Sequence, residues 1–226
     1  MNLNPSHPAV LEGRTIHTKT RRIAGSTTQV LKAVSSNQKL GADSAIVTKG
    51  RWAGMPMFSL SLEERATCPK SCLHWRDCYG NNMPFAHRFS PGDDLTSQLE
   101  IELANLARIY RHGFVVRLHV LGDFYSRKYV QFWRNQLAEH PQLRVFGYSA
   151  RTGAIASSID VTRHLYPDRW WIRYSRNEQP HDSNIYAGSP GKTDGIVCPQ
   201  QTGKTASCTT CGLCWSMNQT VLFETH

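Results

Sequence analysis

Residues 114–126, FVVRLHVLGDFYS, set the fold together with the stretch that follows them, RKYVQFWRNQLAEH at 127–140. FVVRLHVL is a run of β-branched and apolar residues with strand character. Alternation along such a strand puts Arg117, His119 and Leu121 on one face and Val116, Leu118 and Val120 on the other. Gly122 and Asp123 come next, and after only a few more residues the period changes to that of a helix, which Pro141 closes. Moving toward the C-terminus, LRVFGYSAR (143–151) reads as a strand, GAIASSIDVTRHLY (153–166) as a helix and RWWIRYS (169–175) as a strand. Toward the N-terminus, MPMFSLSL (55–62) reads as a strand. It is followed by the helix SQLEIELANLARIYRHG (97–113), with Leu99, Leu103, Leu106 and Tyr110 at helical spacing, Ser97 and Glu100 as a capping box and Gly113 as the stop.

Strand and helix therefore alternate with short links, which predicts an α/β domain built on a mainly parallel sheet with helices outside it. The expected architecture is a (β/α) barrel-like or partial barrel domain, or an open sheet. It occupies residues 55–197, with a basic N-terminal extension over 1–54 and a cysteine-rich, metal-binding C-terminal segment over 198–226. Within the extension only TTQVLKAVSS (27–36) has helical character, and the rest reads as chain laid over the domain or ordered by a partner.

Charge is concentrated in that extension. Residues 1–51 hold eight Lys and Arg against two acids, so +6 of the chain's formal +9 lies there. A cationic segment attracts a polyanion through counterion release, and nucleic acid, DNA first, is the expected partner. The chain has no apolar run long enough to span a bilayer and no apolar N-terminal signal, so a cytoplasmic protein without membrane contact is expected. Seven cysteines in such a compartment argue for metal rather than disulfides.

The cysteines form two groups. In TCPKSCLHWRDCYG (67–80), Cys68, Cys72 and Cys78 stand on a loop after a strand, and three thiol ligands leave one coordination position open. His74 lies between them and is expected to be a hydrogen-bonded loop residue. In CPQQTGKTASCTTCGLCW (198–215), Cys198, Cys208, Cys211 and Cys214 supply four thiols, enough to close a zinc site or to ligate every iron of a 4Fe-4S cluster. The two-residue beat of the last three is the spacing of iron–sulfur ligands, with zinc as the alternative. A third constellation comprises Asp123, His119 and Arg117 as candidate catalytic groups, with Gly122 allowing close approach of a ligand. Ser149, Arg151 and Arg173 lie on the next two strands. Polar groups on three successive strands predict a polar cavity, and arginines suit a phosphate, carboxylate or stacked base.

FSLSLEERATCPKSCLHWRDCYGNN, RLHVLGDFYSRKYVQFW and CPQQTGKTASCTTCGLCW, in this order, resemble the phage and prophage "gene product 88" family over about residues 55–216. A more distant resemblance is to radical S-adenosylmethionine enzymes. That resemblance implies a cluster on Cys68, Cys72 and Cys78, Tyr79 beside it as a cofactor-binding aromatic, Leu121, Gly122 and Asp123 at the end of the second strand, and S-adenosylmethionine as a ligand. The loop here is C-x3-C-x5-C, where those enzymes have C-x3-C-x2-C. The chain also distantly resembles queuine- and archaeosine-type transglycosylases and their DNA-modifying phage relatives, which implies a structural zinc and Asp123 as the nucleophile of a base exchange. Three functions are thus expected in order: an iron–sulfur protein acting on nucleic acid, a zinc-containing DNA base-exchange enzyme, and a non-catalytic nucleic-acid-binding protein stapled by metals.

Overall fold

The structure, a computed structural model, describes residues 1–25, 28–175, 186–188 and 194–224. In chain order the elements are α1 (Pro8–Leu11), β1 (Arg21–Arg22), β2 (Lys32–Ala33), β3 (Met57–Ser59), α2 (Glu64–Thr67), β4 (Arg88–Phe89), α3 (Asp93–Ile109), β5 (Phe114–Leu118) and α4 (Arg127–Glu139). They continue as β6 (Leu143–Ser149), α5 (Gly153–Leu165), β7 (Trp170–Ser175), β8 (Tyr186–Gly188), β9 (Ile196–Val197), α6 (Cys208–Cys211) and β10 (Val221–Leu222). Eight strands form one sheet in the order β2-β3-β5-β6-β7-β8-β10-β9, antiparallel only at β2–β3, while β1 and β4 pair separately. The sheet is open, since β2 and β9 are its edges.

From β3 to β7 each crossover moves one strand in the same direction. Right-handed crossovers stepping one way deliver every helix to the same face, so α3, α4 and α5 form a single layer. That face is the larger core. Leu95, Leu99 and Leu103 of α3, Val130, Trp133 and Leu137 of α4 and Ile159 of α5 pack on Val116, Leu118, Val145, Trp170 and Ile172. The helix α4 starts where Ser126 accepts a hydrogen bond from the Tyr129 amide at 3.1 Å. The helix α3 begins a turn before the expected capping box. Asp93 and Asp94 complement its positive end there, and Leu95 extends the apolar stripe.

The opposite face of the sheet, with Met57, Val115, Phe146 and Trp171, is covered by Val34, Leu40, Val47 and Trp52 from the N-terminal segment and by Trp215 from the C-terminal one. Trp52 and Trp215 stack with ring centroids 5.3 Å apart. The N-terminal segment is thus laid over the domain and supplies four of the nine buried residues of its second core.

Two expectations are corrected. TTQVLKAVSS is not an α-helix from residue 28 on: it forms β2 and a 3-10 turn at Val34–Ser36. The amides of Val30 and Leu31 both donate to the Glu102 carboxylate of α3, at 2.6 and 2.8 Å, which holds this stretch extended. The strand at 114–121 ends at Leu118, so strict alternation does not reach His119.

Candidate functional site

In a parallel sheet, ligands gather outside the carboxyl ends of the strands, and here that edge is built around Asp123. Gly122 has φ +90°, and a Cβ there would stand 2.7 Å from both Leu62 Cβ and Thr67 Oγ1, so glycine lets the chain leaving β5 pass against the end of α2. The Asp123 amide donates to Thr67 Oγ1 at 3.2 Å. Its carboxylate is 2% exposed: Oδ1 accepts from the Phe124 amide at 2.6 Å and the Ser149 hydroxyl at 2.8 Å, and Oδ2 from the Ala150 amide at 2.8 Å. Burial pushes its pKa up to about 6, against the pull of these three donors and of the Arg151 guanidinium. Arg151 also hydrogen-bonds the Thr67 carbonyl, tying the loop after β6 to the start of the cysteine loop.

Cys68 follows α2 directly, with its amide bonded to the Glu64 carbonyl at 2.7 Å. Burial raises its thiol pKa well above the ordinary value, and Asp123, Cys72, Cys78 and Glu64 raise it further. Cys68 and Cys72 thus lie within electrostatic reach of Asp123, and Cys78 within reach of Cys72 and Glu64. Burial also raises Cys72, and raises Cys78 to about 11.

Beneath this loop lies a polar scaffold that sequence reasoning missed. Arg88 and Glu64, both fully buried, pair at 2.9 Å, and Arg88 also donates to the carbonyls of Gly80, Ala86 and Met83. Arg65 reaches Asn81 Oδ1 at 2.9 Å, and Asn81 bonds the carbonyls of Met1 and Arg76. No spacing in the sequence signals these partners, because most are joined across turns or long gaps. His74 pairs with Asp77 at 3.3 Å on the surface of the loop. Tyr79 is exposed, and its hydroxyl lies within electrostatic reach of Arg117, Cys78 and Cys68.

The second thiol group lies on the other face of the sheet, where Cys198, Cys208, Cys211 and Cys214 all line one pocket with Trp215. Ser207 and Thr210 form a reciprocal cap at the start of α6, and Gly212, φ +72°, turns the chain between Cys211 and Cys214. The N-terminal segment holds this unit by its backbone: the Cys208 and Thr209 amides donate to the carbonyls of Lys39 and Leu40 at 2.9 and 3.0 Å. Arg173, fully buried, donates to the carbonyls of Cys214, Met217 and Gln219 at 3.0, 2.6 and 2.7 Å. Tyr148 Oη lies 2.7 Å from Cys214 Sγ. Burial raises the Cys208 and Cys214 thiols, with Arg117 and Arg173 acting the other way.

The structure redistributes the expected site residues. Gly122, Asp123, Ser149 and Arg151 gather with Cys68, Cys72 and Cys78. Arg117 lies over the Tyr148 ring at 4.7 Å, close enough to affect both Tyr79 and Cys208, so it stands between the two cysteine groups. His119 does not share its face. It is buried toward α4, with Nε2 3.1 Å from Tyr129 Oη and its ring edge-on to Phe124, and burial holds its pKa well below the ordinary value. The expected polar cavity is also corrected. Alternation puts Tyr148, not Ser149, beside Arg117 and Arg173, and the cysteine-rich segment fills the space over them.

All seven cysteines are free thiols. Among the described residues, no group of three or more His, Cys, Asp or Glu stands in an arrangement that could hold a metal ion. The donor chemistry itself fits a thiophilic metal group. Four thiols lining one pocket are the soft donor set such a group takes, and ligation there would require them to give up the protons that burial holds on Cys208 and Cys214.

The family model described as Gene product 88 matches residues 29–220. No curated protein and no solved structure matches the chain.

Proposed function

The chain belongs to the Gene product 88 family, and we propose from its own residues that it is an iron–sulfur protein with two thiol-built centres, acting on nucleic acid. The observation that supports this reading best is the division of the thiols: three stand on the loop that follows α2, with Cys68 and Cys72 within electrostatic reach of the buried Asp123, and four line a pocket on the sheet's covered face. Cys68, Cys72 and Cys78 would hold a 4Fe-4S cluster with one iron free of protein ligands, which supplies one-electron chemistry when bound. Cys198, Cys208, Cys211 and Cys214 would saturate a second cluster and leave it a structural or relay role. Asp123 orients the edge by locking the loops after β5 and β6 together.

The finer reading is radical chemistry with S-adenosylmethionine at the open position. It draws support from placement: the thiol loop follows the first parallel strand, and Gly122 and Asp123 follow the second. A carboxylate offers about four acceptor sites. Three on Asp123 are filled, which leaves one for the ammonium of such a ligand. Asp123 as the nucleophile of a base exchange is the weaker alternative, because both oxygens are engaged by fixed donors and the three-cysteine loop would have no task.

Anaerobic purification with iron, sulfide and zinc analysis tests the proposal, alongside Cys72→Ala and Cys211→Ala. Each variant should lose one centre and keep the other, and S-adenosylmethionine should perturb only the EPR signal that Cys72→Ala removes. A colourless protein containing zinc and no iron would overturn the reading in favour of the base-exchange or stapled-binder functions.

A further inference from the structure

The outer surface of the helical layer carries a groove between α4 and α5. Arg127, Lys128, Gln131 and Arg134 line one wall, and Ser157 and Ser158 stand on the other. None of its lining side chains is acidic. Arg127, Gln131 and Arg134 fall at i, i+4 and i+7, so one helical face presents them over about 10 Å. Lys128 also reaches Asp93 at the rim, 3.0 Å away, with both side chains largely exposed. Among the described residues Arg127 and Arg134 enter no ion pair.

The groove has a direction. Each of α4 and α5 follows a strand of the parallel sheet, so both begin at the carboxyl edge, where Cys68 and Asp123 lie. Their N-terminal turns add positive potential to the groove's cations at that end. In the N-terminal segment, where the sequence concentrates its charge, Arg14, Arg21 and Arg51 are paired with Glu12, Glu63 and Asp168. The cations there that enter no ion pair among the described residues, Lys19, Arg22, Lys32, Lys39 and Lys49, are scattered along irregular chain, a 3-10 turn and two-residue strands and are not gathered on one helical face.

We infer that the α4–α5 groove, and not the basic N-terminal segment, is the docking surface for the phosphodiester backbone of a nucleic-acid strand. The guanidinium groups would take phosphate oxygens, and the Ser158 hydroxyl and the second N–H of the Gln131 amide, whose first donates to Asn135 at 2.7 Å, would add neutral donors. The Ser157 hydroxyl is spent on the Gly153 carbonyl at 3.2 Å. Such a contact set positions a strand without reading its sequence. The inference rests on the nucleic-acid part of the proposed function and is independent of the metal centres.

Fluorescence anisotropy with a labelled single-stranded DNA 20-mer and the full chain tests it. The triple substitution Arg127→Gln, Lys128→Gln, Arg134→Gln should weaken binding at least about tenfold and make the dependence of log K on log salt shallower by about 2, as expected for three lost cations on a single strand. The thermal transition should stay intact, because Arg127 and Lys128 are exposed and Arg134 is half-buried with no ion pair to lose. Substituting the exposed, unpaired Lys19, Lys32 and Lys49 by Gln should leave affinity within about twofold. If that second variant loses binding while the groove variant keeps it, the groove is wrong and the nucleic-acid reading survives. If the wild-type chain shows no salt-dependent binding, both are wrong. Equal competition by a polyglutamate peptide would overturn the choice of nucleic acid as the occupant.

Discussion

Asp123 is held by groups from two loops, and its protonation is tied to the stability of the edge they form. Its pKa stands at about 6 instead of 3.8, chiefly because burial disfavours the charge. A carboxyl whose folded pKa is raised contributes stability that is complete below the unfolded value and is lost as pH rises through the folded one. The shift of about two units corresponds to about 3 kcal/mol. In the metal-free protein, Asp123→Asn should therefore gain about 3 kcal/mol relative to wild type between about pH 3 and about pH 7, read from urea unfolding at the two pH values. The fixed cost of turning an amide toward the Ala150 N–H is common to both and cancels. An unchanged difference would show that Asp123 ionises freely in the fold. Sequence placed this residue at a strand end; it did not reveal Ser149 as its partner, because the two meet only through the pairing of β5 with β6.

At the scale of elements, the strands and helices from 114 to 175 were legible to within a residue or a few, because each has a clear period and a stop such as Pro141. The errors arose where a partner distant in sequence overrides the local pattern. Glu102 holds residues 30 and 31 extended, and His119 lies just past the true end of β5 and turns toward Tyr129. Arg173 is the clearest case of a residue whose type was informative and whose task was not. It suits an anionic ligand, yet it is the staple that fastens the cysteine-rich segment to β7. A planar fork can serve several carbonyls at once, and an ammonium cannot. Arg173→Lys should cost about 2–4 kcal/mol. In the metal-free chain it should also speed the reaction of Cys211 and Cys214 with a disulfide reagent at least about tenfold, with Cys68, Cys72 and Cys78 unchanged. Mass mapping of the labelled thiols reads this directly, and equal acceleration of both groups would mean that Arg173 supports the whole sheet and not one segment.

At the scale of the molecule, the charge and missing periodicity of residues 1–54 describe an appended extension, and the structure makes that segment a wall of the second core. Its share can be estimated. Losing one buried Trp typically costs about 3–5 kcal/mol, and Trp52, Val34, Leu40 and Val47 all come from this stretch. A domain's total stability is about 5–15 kcal/mol, so removing the four together consumes most or all of it. The same cut strips Thr15 from Glu64, Arg21 from Glu63, and the Lys39 and Leu40 carbonyls from α6, undoing part of the support of both thiol groups. A chain beginning at residue 55 should accordingly show no cooperative thermal transition and should bind ANS through the exposed face of Met57, Val115, Phe146 and Trp171. A sharp transition in that truncation would mean that the α/β layer folds on its own and that the N-terminal segment is an accessory. Loss of nucleic-acid binding on truncation would then report lost structure as readily as lost charge, which is why only point substitutions can decide between the N-terminal cations and the α4–α5 groove.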